Sequence, residues 1–282
     1  MNASNARLRA IAAETVAITQ AGGYPAPSGG WVDIATAVAD AVAGTRMYHP
    51  DEPLDVEMAG GSTPVVEVAN ESSLAAARRL GGDAALLVFA SARNPGGGFR
   101  TGARAQEEDI ARASALHACL AAAPMFYEHH RTEPDLRYSD RVIYSPGVPV
   151  FRDDTGALLD RPYRVGMITA AAPNLRAILA NQPHLAGTVP EVLRSRTVRV
   201  LQVAAAHRHR RLVLGAWGCG VFGNDSVVVA DAFGAALRRV DAFERVVFAV
   251  LDRAPGTPTY RRFAERFAGR RAADSRARPG PG

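Results

Sequence analysis

Residues 94–108 read Asn-Pro-Gly-Gly-Gly-Phe-Arg-Thr-Gly-Ala-Arg-Ala-Gln-Glu-Glu, and they directly follow an apolar run at residues 84–90. That run, Ala-Ala-Leu-Leu-Val-Phe-Ala, predicts a fully buried strand, so the glycine-rich segment is expected at the strand's carboxyl end, where open α/β sheets bind ligands. Three consecutive glycines lack Cβ atoms, which lets the backbone adopt positive φ and bring its N–H groups close to a ligand. The segment therefore predicts a loop that binds a phosphate or a sugar.

Strand and helix patterns alternate on both sides of this loop, which predicts a largely parallel α/β sheet with helices on both faces. A hairpin is expected between residues 145 and 164, because Asp153-Asp154-Thr155-Gly156 has turn chemistry, and residues 47–64 are expected to be loop. The predicted strands are 31–34, 65–69, 84–90, 141–145, 164–170, 211–216 and 245–251. The predicted helices are 5–20, 35–43, 72–80, 103–122, 190–206, 226–240 and 258–267.

The composition favours a single globular domain that carries short additions at its ends. The chain has 282 residues, of which 48% are hydrophobic and 22% charged, and it has no apolar run long enough to span a membrane. We expect an N-terminal helix at 1–22 packed on a main domain at 23–268, followed by a disordered tail at 269–282. Residues 1–9 lack the features of a secretory signal, and the chain has only two cysteines. A reducing cytoplasm is therefore expected.

Every basic side chain in the sequence apart from histidine is arginine, and lysine is absent. Schiff-base, P-loop and kinase-type lysines are thereby excluded. The net charge of +5 is scattered, and its densest cluster is His-Arg-His-Arg-Arg at 207–211. We interpret that cluster as a solvated helix end rather than a nucleic-acid site.

A second glycine loop, Gly-Cys-Gly-Val-Phe-Gly-Asn-Asp at 218–225, follows the strand at 211–216 and matches Gly-x-Gly-x-x-Gly. With Asp241 as a ribose-binding acid it could be a dinucleotide loop, but a bare tight turn or a diphosphate loop of another fold fits equally. Cys219 is interpreted as a small residue chosen for space rather than a nucleophile. His129, His130, His207 and His209 lack metal-ligand spacing and are expected at the surface, whereas His117 is expected to be packed.

Glu107 and Glu108 stand where acidic residues commonly complement a helix N-terminus. Adjacent helical side chains point about 100° apart, so the two carboxylates could also hold different parts of one ligand. Burial beside a second carboxylate raises the pKa of a carboxyl group, which would make it a proton donor.

Taken together, Asn94-Pro-Gly-Gly-Gly and Gln106-Glu107-Glu108 resemble the Gly-Gly-Gly and Gln-Glu-Glu signature of poly(ADP-ribose) glycohydrolases of the compact bacterial type. Residues 168–174 (Ile-Thr-Ala-Ala-Ala-Pro-Asn), 218–224 and the strand and helix at 65–80 are similar to other segments of that family. The resemblance covers roughly residues 23–267. It implies a macrodomain, a three-layer α/β/α fold with a mixed sheet, here with an added N-terminal helical segment.

The resemblance also implies the chemistry, which is hydrolysis of the ribose–ribose bond with release of ADP-ribose from chain ends. It makes Glu108 the acid that protonates the glycosidic oxygen and then activates water, while Glu107 bonds the adjoining ribose. Asn94 and the three glycines would contact the distal ribose, and residues 220–224 would cradle the diphosphate, with Phe222 packed on the ribose. The substrate-binding residues implied in this way are Asn94, Gly96, Gly97, Gly98, Gln106, Gly218, Gly220, Val221, Phe222, Gly223 and Asn224.

No cofactor and no metal are expected, and the implied partner is the ADP-ribose polymer or an ADP-ribosylated protein, bound by a monomer. The implied setting is reversal of ADP-ribosylation, including that of the DNA damage response. Three alternatives stay open at this point: a non-catalytic ADP-ribose reader, a hydrolase of ADP-ribose attached to protein or nucleic acid, and a dinucleotide oxidoreductase.

Overall fold

A computed structural model of the chain describes residues 3–56 and 63–268. The tail predicted at 269–282 lies outside the described residues. The described strands are β1 (Gly23–Pro25), β2 (Trp31–Asp33), β3 (Arg46–Tyr48), β4 (Val65–Ala69), β5 (Ala84–Phe89), β6 (Val142–Arg152), β7 (Leu158–Ala170), β8 (Arg211–Leu214) and β9 (Arg245–Ala249). The described α-helices are α1 (Ala3–Ala21), α2 (Ala35–Ala43), α3 (Ser73–Leu80), α4 (Gln106–Ala113), α5 (Leu116–Ala121), α6 (Pro124–Thr132), α7 (Leu175–Asn181), α8 (Val189–Ala206), α9 (Ser226–Arg239) and α10 (Pro258–Phe267).

Seven of these strands form one mixed sheet in the order β3-β6-β7-β5-β8-β9-β4. Strands β7, β5, β8, β9 and β4 run parallel to one another, while β6 is antiparallel to both of its neighbours. The carboxyl ends of the five parallel strands therefore meet at one edge of the sheet. The predicted mixed sheet is confirmed.

Helices cover both faces of the sheet, because strand side chains alternate between two buried clusters. In β5, Ala85 and Leu87 belong to the cluster under α8, α9 and α10, whereas Leu86 and Val88 belong to the cluster under α2, α3 and α5. This alternation explains why β5 reads as a continuous apolar run. The three-layer α/β/α architecture is confirmed.

The single helix predicted at 103–122 is wrong in extent, because the chain forms two shorter helices there. Helix α4 begins only at Gln106, after a 3₁₀ turn (Phe99–Thr101) and Gly102 in the left-handed region at φ +88°. It ends at Ala113 because Ser114 is extended and pairs with Val150 of β6. That pairing lies 36 residues away in the chain, so local periodicity does not report it.

Three further elements differ from the prediction. The expected loop at 47–64 contributes part of edge strand β3, whose three residues are too few to show an alternation. Helices α6 and α7 were not predicted, although Pro124 opens the first and the Asn174 side chain caps the second by accepting from the Ala177 N–H at 3.1 Å. The predicted hairpin forms, with strands longer than expected.

Helix α1 packs beside the glycine-rich loop and α4. The Thr15 hydroxyl donates to the carbonyl of Arg112 at 2.6 Å, and the Arg152 guanidinium bonds both Thr15 and Glu14. Ala12, Phe99 and Ala111 form a small apolar cluster at this contact. Among the described residues, no helix combines the length and apolarity needed to cross a membrane.

Candidate active site

Three loops leave neighbouring strands at the carboxyl edge of the sheet. They follow β7, β5 and β8, which are adjacent in the sheet order. The two glycine loops singled out in the sequence are the ones after β5 and β8. They therefore leave the same edge of the sheet from adjacent strands, although more than a hundred residues separate them in the chain.

The first loop makes a tight turn at Asn94, where the Gly97 N–H donates to the Asn94 carbonyl at 2.9 Å. Gly96 and Gly97 have φ values of +70° and +57°, a conformation that strains a residue with a side chain. A Cβ on Gly97 would overlap Oε1 of Glu108 and would lie 3.1 Å from Oε2 of Glu107. The loop therefore needs glycine at position 97 because both carboxyl groups lie against its backbone.

Glu107 is almost completely buried, with 2% of its surface exposed. Burial raises its pKa well above the usual 4.5 and the charge on Glu108 adds to the rise, although backbone N–H groups, first that of Ser91 and then that of Gly96, pull it down. The Ser91 N–H donates to Oε2 at 2.6 Å, while Oε1 is buried with no partner among the described residues. Burial thus favours the neutral form of the Glu107 carboxyl, and its Oε1 can bond a ligand.

Glu108 is half-buried beside it and accepts the Gly98 N–H at Oε1, 3.0 Å away. Both carboxylates stand in the first turn of α4, and the loop backbone fixes their positions. The pair combines a buried carboxyl whose pKa is raised with a more accessible one, which is an arrangement suited to acid–base chemistry on a bound sugar.

Gln106 attaches this turn to the sheet. Its Oε1 accepts the Phe89 N–H at 2.8 Å, and its Nε2 donates to the Leu87 carbonyl and to the Ser73 hydroxyl. The amide is therefore engaged within the protein and anchors the two glutamates at the end of β5.

The second loop is closed by Asn224, whose Nδ2 donates to the carbonyls of Pro173 and Gly218 at 2.9 and 3.2 Å. Gly218 has φ +73°, and a Cβ there would lie 2.6 Å from the Cβ of Ala172. Within the described part of the chain, no group accepts the N–H of Gly220, Val221 or Phe222. The loop precedes the N-terminus of α9, so it presents backbone donors to an anion.

Comparison with known proteins identifies the family. A family model described as the microbial-type PARG catalytic domain matches residues 12–153. The chain belongs to the microbial-type poly(ADP-ribose) glycohydrolase family. It is therefore an enzyme of the glycoside hydrolase class.

Solved structures of bacterial poly(ADP-ribose) glycohydrolases agree with this. The enzyme from Thermomonospora curvata is 52% identical with a TM-score of 0.86, and the match covers 93% of this chain and 99% of that one. The same enzyme bound to the inhibitor ADP-HPD gives 52% identity, a TM-score of 0.84 and the same coverage. The Deinococcus radiodurans enzyme in complex with ADP-ribose is 42% identical with a TM-score of 0.76, covering 82% of this chain and 97% of that one. A search of curated proteins found no significant match.

The residues predicted for the site lie on the two glycine loops, which follow the adjacent strands β5 and β8. Asn94, Gly96, Gly97, Gly98, Glu107 and Glu108 belong to the segment after β5, and Gly218, Gly220, Val221, Phe222, Gly223 and Asn224 to the segment after β8. Asn94 and Val221 are exposed, Phe222 is half-buried and Asn224 is buried. The Asn224 Oδ1 has no partner among the described residues.

Several residues near this site were not predicted. The Arg176 N–H donates to the Phe222 carbonyl at 2.9 Å, and a Cβ on Gly223 would lie 3.8 Å from its Nε. No carboxylate of the described residues pairs with its guanidinium. Tyr127 is buried with its hydroxyl unpartnered there, and the Glu107 carboxyl helps to raise its pKa. The only local sequence signal for Arg176 was Asn174, because the Asn174 side chain caps the start of α7 and Arg176 lies in that helix.

The alternative chemistries find less support. Asp241 stands before β9, at the amino edge of the sheet and away from the second glycine loop, so it cannot be the ribose-binding acid of a dinucleotide site. Burial raises the pKa of the Cys219 thiol to about 12, which opposes a nucleophilic role. Among residues 3–56 and 63–268, no three His, Cys, Asp or Glu side chains cluster closely enough to hold a metal ion.

The surface position predicted for the histidines is wrong for two of them. His130 and His209 are 1% and 3% exposed, and they form hydrogen bonds with the side chains of Ser139 and Tyr144 respectively. His207 is half-buried and stacks on the Tyr144 ring at a centroid distance of 3.5 Å. His117 packs against Phe99, as expected.

Proposed function

We propose that the protein cleaves the ribose–ribose O-glycosidic bond of poly(ADP-ribose) at chain ends, with Glu108 as the catalytic residue. The observation that carries the proposal is the pair of adjacent carboxyl groups, one buried and one accessible, that lies against the Gly97 and Gly98 backbone after β5. Family membership supports the same reaction.

In the proposed step, protonated Glu108 gives its proton to the glycosidic oxygen as the bond from that oxygen to the anomeric carbon breaks. The sugar passes through an oxocarbenium-like transition state. Glu108, now a carboxylate, takes a proton from the attacking water, so that the carbon gains a hydroxyl and the acid is restored. The Gly98 N–H holds Oε1 during both halves, which directs Oε2 at the reacting oxygen.

Glu107 binds rather than reacts in this proposal. Burial raises the pKa of its carboxyl, and its Oε1 has no partner among the described residues, so it can share a hydrogen bond with a ribose hydroxyl. The Ser91 N–H keeps the carboxyl in place. A sugar held between Glu107 and the glycines would present its anomeric carbon to Glu108.

The diphosphate is assigned to the second loop. The N–H groups of Gly220, Val221 and Phe222 would bond the phosphate oxygens, Gly218, Gly223 and Asn224 would shape the loop, and the Phe222 ring would pack on the ribose. The Arg176 guanidinium beside Gly223 would add a full positive charge. Gln106 would contribute by fixing the glutamates rather than by touching the substrate.

The proposal extends to the setting of the enzyme. It acts as a monomer in the cytoplasm on the polymer or on ADP-ribosylated protein, and it reverses ADP-ribosylation after DNA damage. Both cysteines are free thiols, which agrees with a reducing compartment. The proposed division remains a helix at 1–22, the glycohydrolase domain at 23–268 and a tail at 269–282.

The test is release of ADP-ribose from purified polymer by Glu108→Gln, with Glu128→Gln on the exposed face of α6 as the control. The first variant should bind ADP-ribose normally and release none, and the second should behave as wild type. Full release by Glu108→Gln would refute the catalytic assignment. Binding without turnover by wild type would establish a reader, and faster turnover of mono-ADP-ribosylated protein than of polymer would establish the other hydrolase. Oligomeric products from end-labelled polymer would refute chain-end cleavage.

A further inference from the structure

Tyr138 has a strained backbone next to the second glycine loop. Its φ of +61° lies in the left-handed region, which is costly for a residue with a large side chain. Its ring stands 6.2 Å from the ring of Phe222 and 5.7 Å from that of His130, measured between centroids. The strained residue thus connects the interior to the aromatic side chain assigned to the substrate.

The segment that carries Tyr138 is held from several sides. The Leu136 carbonyl accepts the Asn174 N–H at 3.0 Å, and the Gln182 amide bonds the Leu136 N–H and the Pro134 carbonyl. These contacts attach residues 134–136 to the cap and the end of α7. The Arg176 N–H of the same helix donates to the Phe222 carbonyl. Helix α7 therefore fixes the backbone near both Tyr138 and Phe222.

A buried arginine holds the other side of Tyr138. Arg196 is 2% exposed, and its guanidinium donates to Asp140 at 2.7 Å and to the carbonyls of Arg137 and Ala171 at 2.7 and 2.8 Å. Residues 137 and 140 bracket Tyr138, and Ala171 follows the end of β7. A buried arginine that loses such partners would be costly, so this arrangement is rigid.

The ring of Tyr138 also contacts the buried ring of His130. His130 lies below it, and the Ser139 N–H donates to Nε2 of His130 at 3.2 Å. The strained backbone of Tyr138 is maintained by many contacts. Such maintained strain is typical of positions where a precise geometry is needed for binding. The ring is half-buried and also packs against the apolar cluster under α2, α3 and α5.

We propose that Tyr138 is a positioning residue for substrate binding, whose ring supports the Phe222 ring in the orientation that packs on the ribose next to the diphosphate. Its role is to restrict Phe222 before the substrate arrives, which lowers the entropy lost on binding. The proposal rests on the proposed function, since that is what assigns Phe222 to the substrate. It does not place Tyr138 among the reacting groups.

The test compares Tyr138→Phe, Tyr138→Ala and Tyr138→Gly. The comparison distinguishes the effect of losing the aromatic ring on binding from its effect on the stability of the fold. The measurements are the Kd for ADP-ribose, KM and kcat for polymer, and Tm. Phe should match wild type in all of them. Ala and Gly should each weaken ADP-ribose binding by about tenfold, the equivalent of one aromatic contact, and raise KM with little change in kcat. Gly should nevertheless have a higher Tm than Ala, because glycine accepts the left-handed conformation without strain.

A merely structural role predicts a different pattern, in which affinity follows Tm and the Gly variant binds better than the Ala variant. That result, wild-type affinity in the Ala variant, or loss of affinity in the Phe variant would each overturn the proposal. The double variant Tyr138→Ala/Phe222→Ala should bind ADP-ribose no more weakly than Phe222→Ala alone. Additive losses of binding free energy would also overturn the proposal. Because the Kd uses ADP-ribose alone, it tests Tyr138 even if the wild type fails to cleave polymer, which would refute only the proposed reaction.

Discussion

Replacing Gly97 with alanine should abolish most of the activity while leaving the fold in place. The added Cβ would lie 2.9 Å from Cδ of Glu108 and would overlap its Oε1. Contacts this short between carbon atoms do not occur, so the carboxyl must turn away and give up the Gly98 N–H. A displacement of about 1 Å at a catalytic group can cost about 100-fold in rate. We therefore expect kcat on polymer to fall by about 100-fold.

The same substitution also strains the backbone, because Gly97 has φ +57°. The strain should cost about 1–2 kcal/mol, which corresponds to a Tm lower by about 3–6 °C for a chain of this size. Gly147 provides the control, since its φ is +51° and the nearest atom to an added Cβ is Cδ of Arg164 at 3.8 Å. Gly147→Ala should show a similar loss of Tm and the wild-type kcat.

The assay is ADP-ribose release at saturating polymer, run beside thermal unfolding for both variants. If Gly97→Ala keeps the kcat of Gly147→Ala, the carboxyl of Glu108 does not act where the structure places it, and the catalytic assignment fails. A loss of kcat that is equal in the two variants would show that backbone strain alone slows the enzyme.

Three further predictions use the charges around the site. Burial lowers the pKa of His130 to about 4, so the unfolded chain binds a proton that the folded chain does not as the pH falls from 6.5 to 4. Stability should drop over that window by about 3 kcal/mol, and denaturant titrations of His130→Gln should show a shallower drop than wild type. The raised pKa of Glu107 has the opposite effect on the pH dependence of stability. Its contribution to the free energy of unfolding is complete below pH 4.5 and is lost as the pH rises through the folded-state pKa. Glu107→Gln should remove that decline, and an unchanged pH profile would refute the raised pKa of Glu107. Arg176→Gln should raise KM about tenfold, the equivalent of one charge-assisted hydrogen bond, and the loss should shrink at high salt. Arg238→Gln, also exposed, should leave KM unchanged; equal effects of the two would make the charge effect non-specific.

Much of the site was accessible from local sequence. The apolar run before Asn94 predicted a buried strand, and the run of glycines predicted a turn with positive φ, which Gly96 and Gly97 adopt. The two adjacent glutamates predicted a carboxyl whose pKa is raised by burial and by a neighbouring charge, and Glu107 has that environment. These features depend on a few neighbouring residues, which is why pattern and spacing report them.

Other features depended on contacts between distant segments. The break of the predicted helix at Ser114 comes from its pairing with Val150, and the burial of His130 comes from residues that follow α6. The strain at Tyr138 exists only because Arg196 and α7 hold both of its flanks. No periodicity of the chain carries such information.

By itself, the sequence predicted most of the strands and helices, the two glycine loops and the chemistry of the carboxyl pair at Glu107 and Glu108. Only the tertiary structure decided that the two loops follow adjacent strands, through the order β7-β5-β8. It also decided that the two carboxyls differ, one buried and one half-exposed. The physical reason is that backbone propensity acts over a few residues, whereas strand order and desolvation arise from packing across the whole chain.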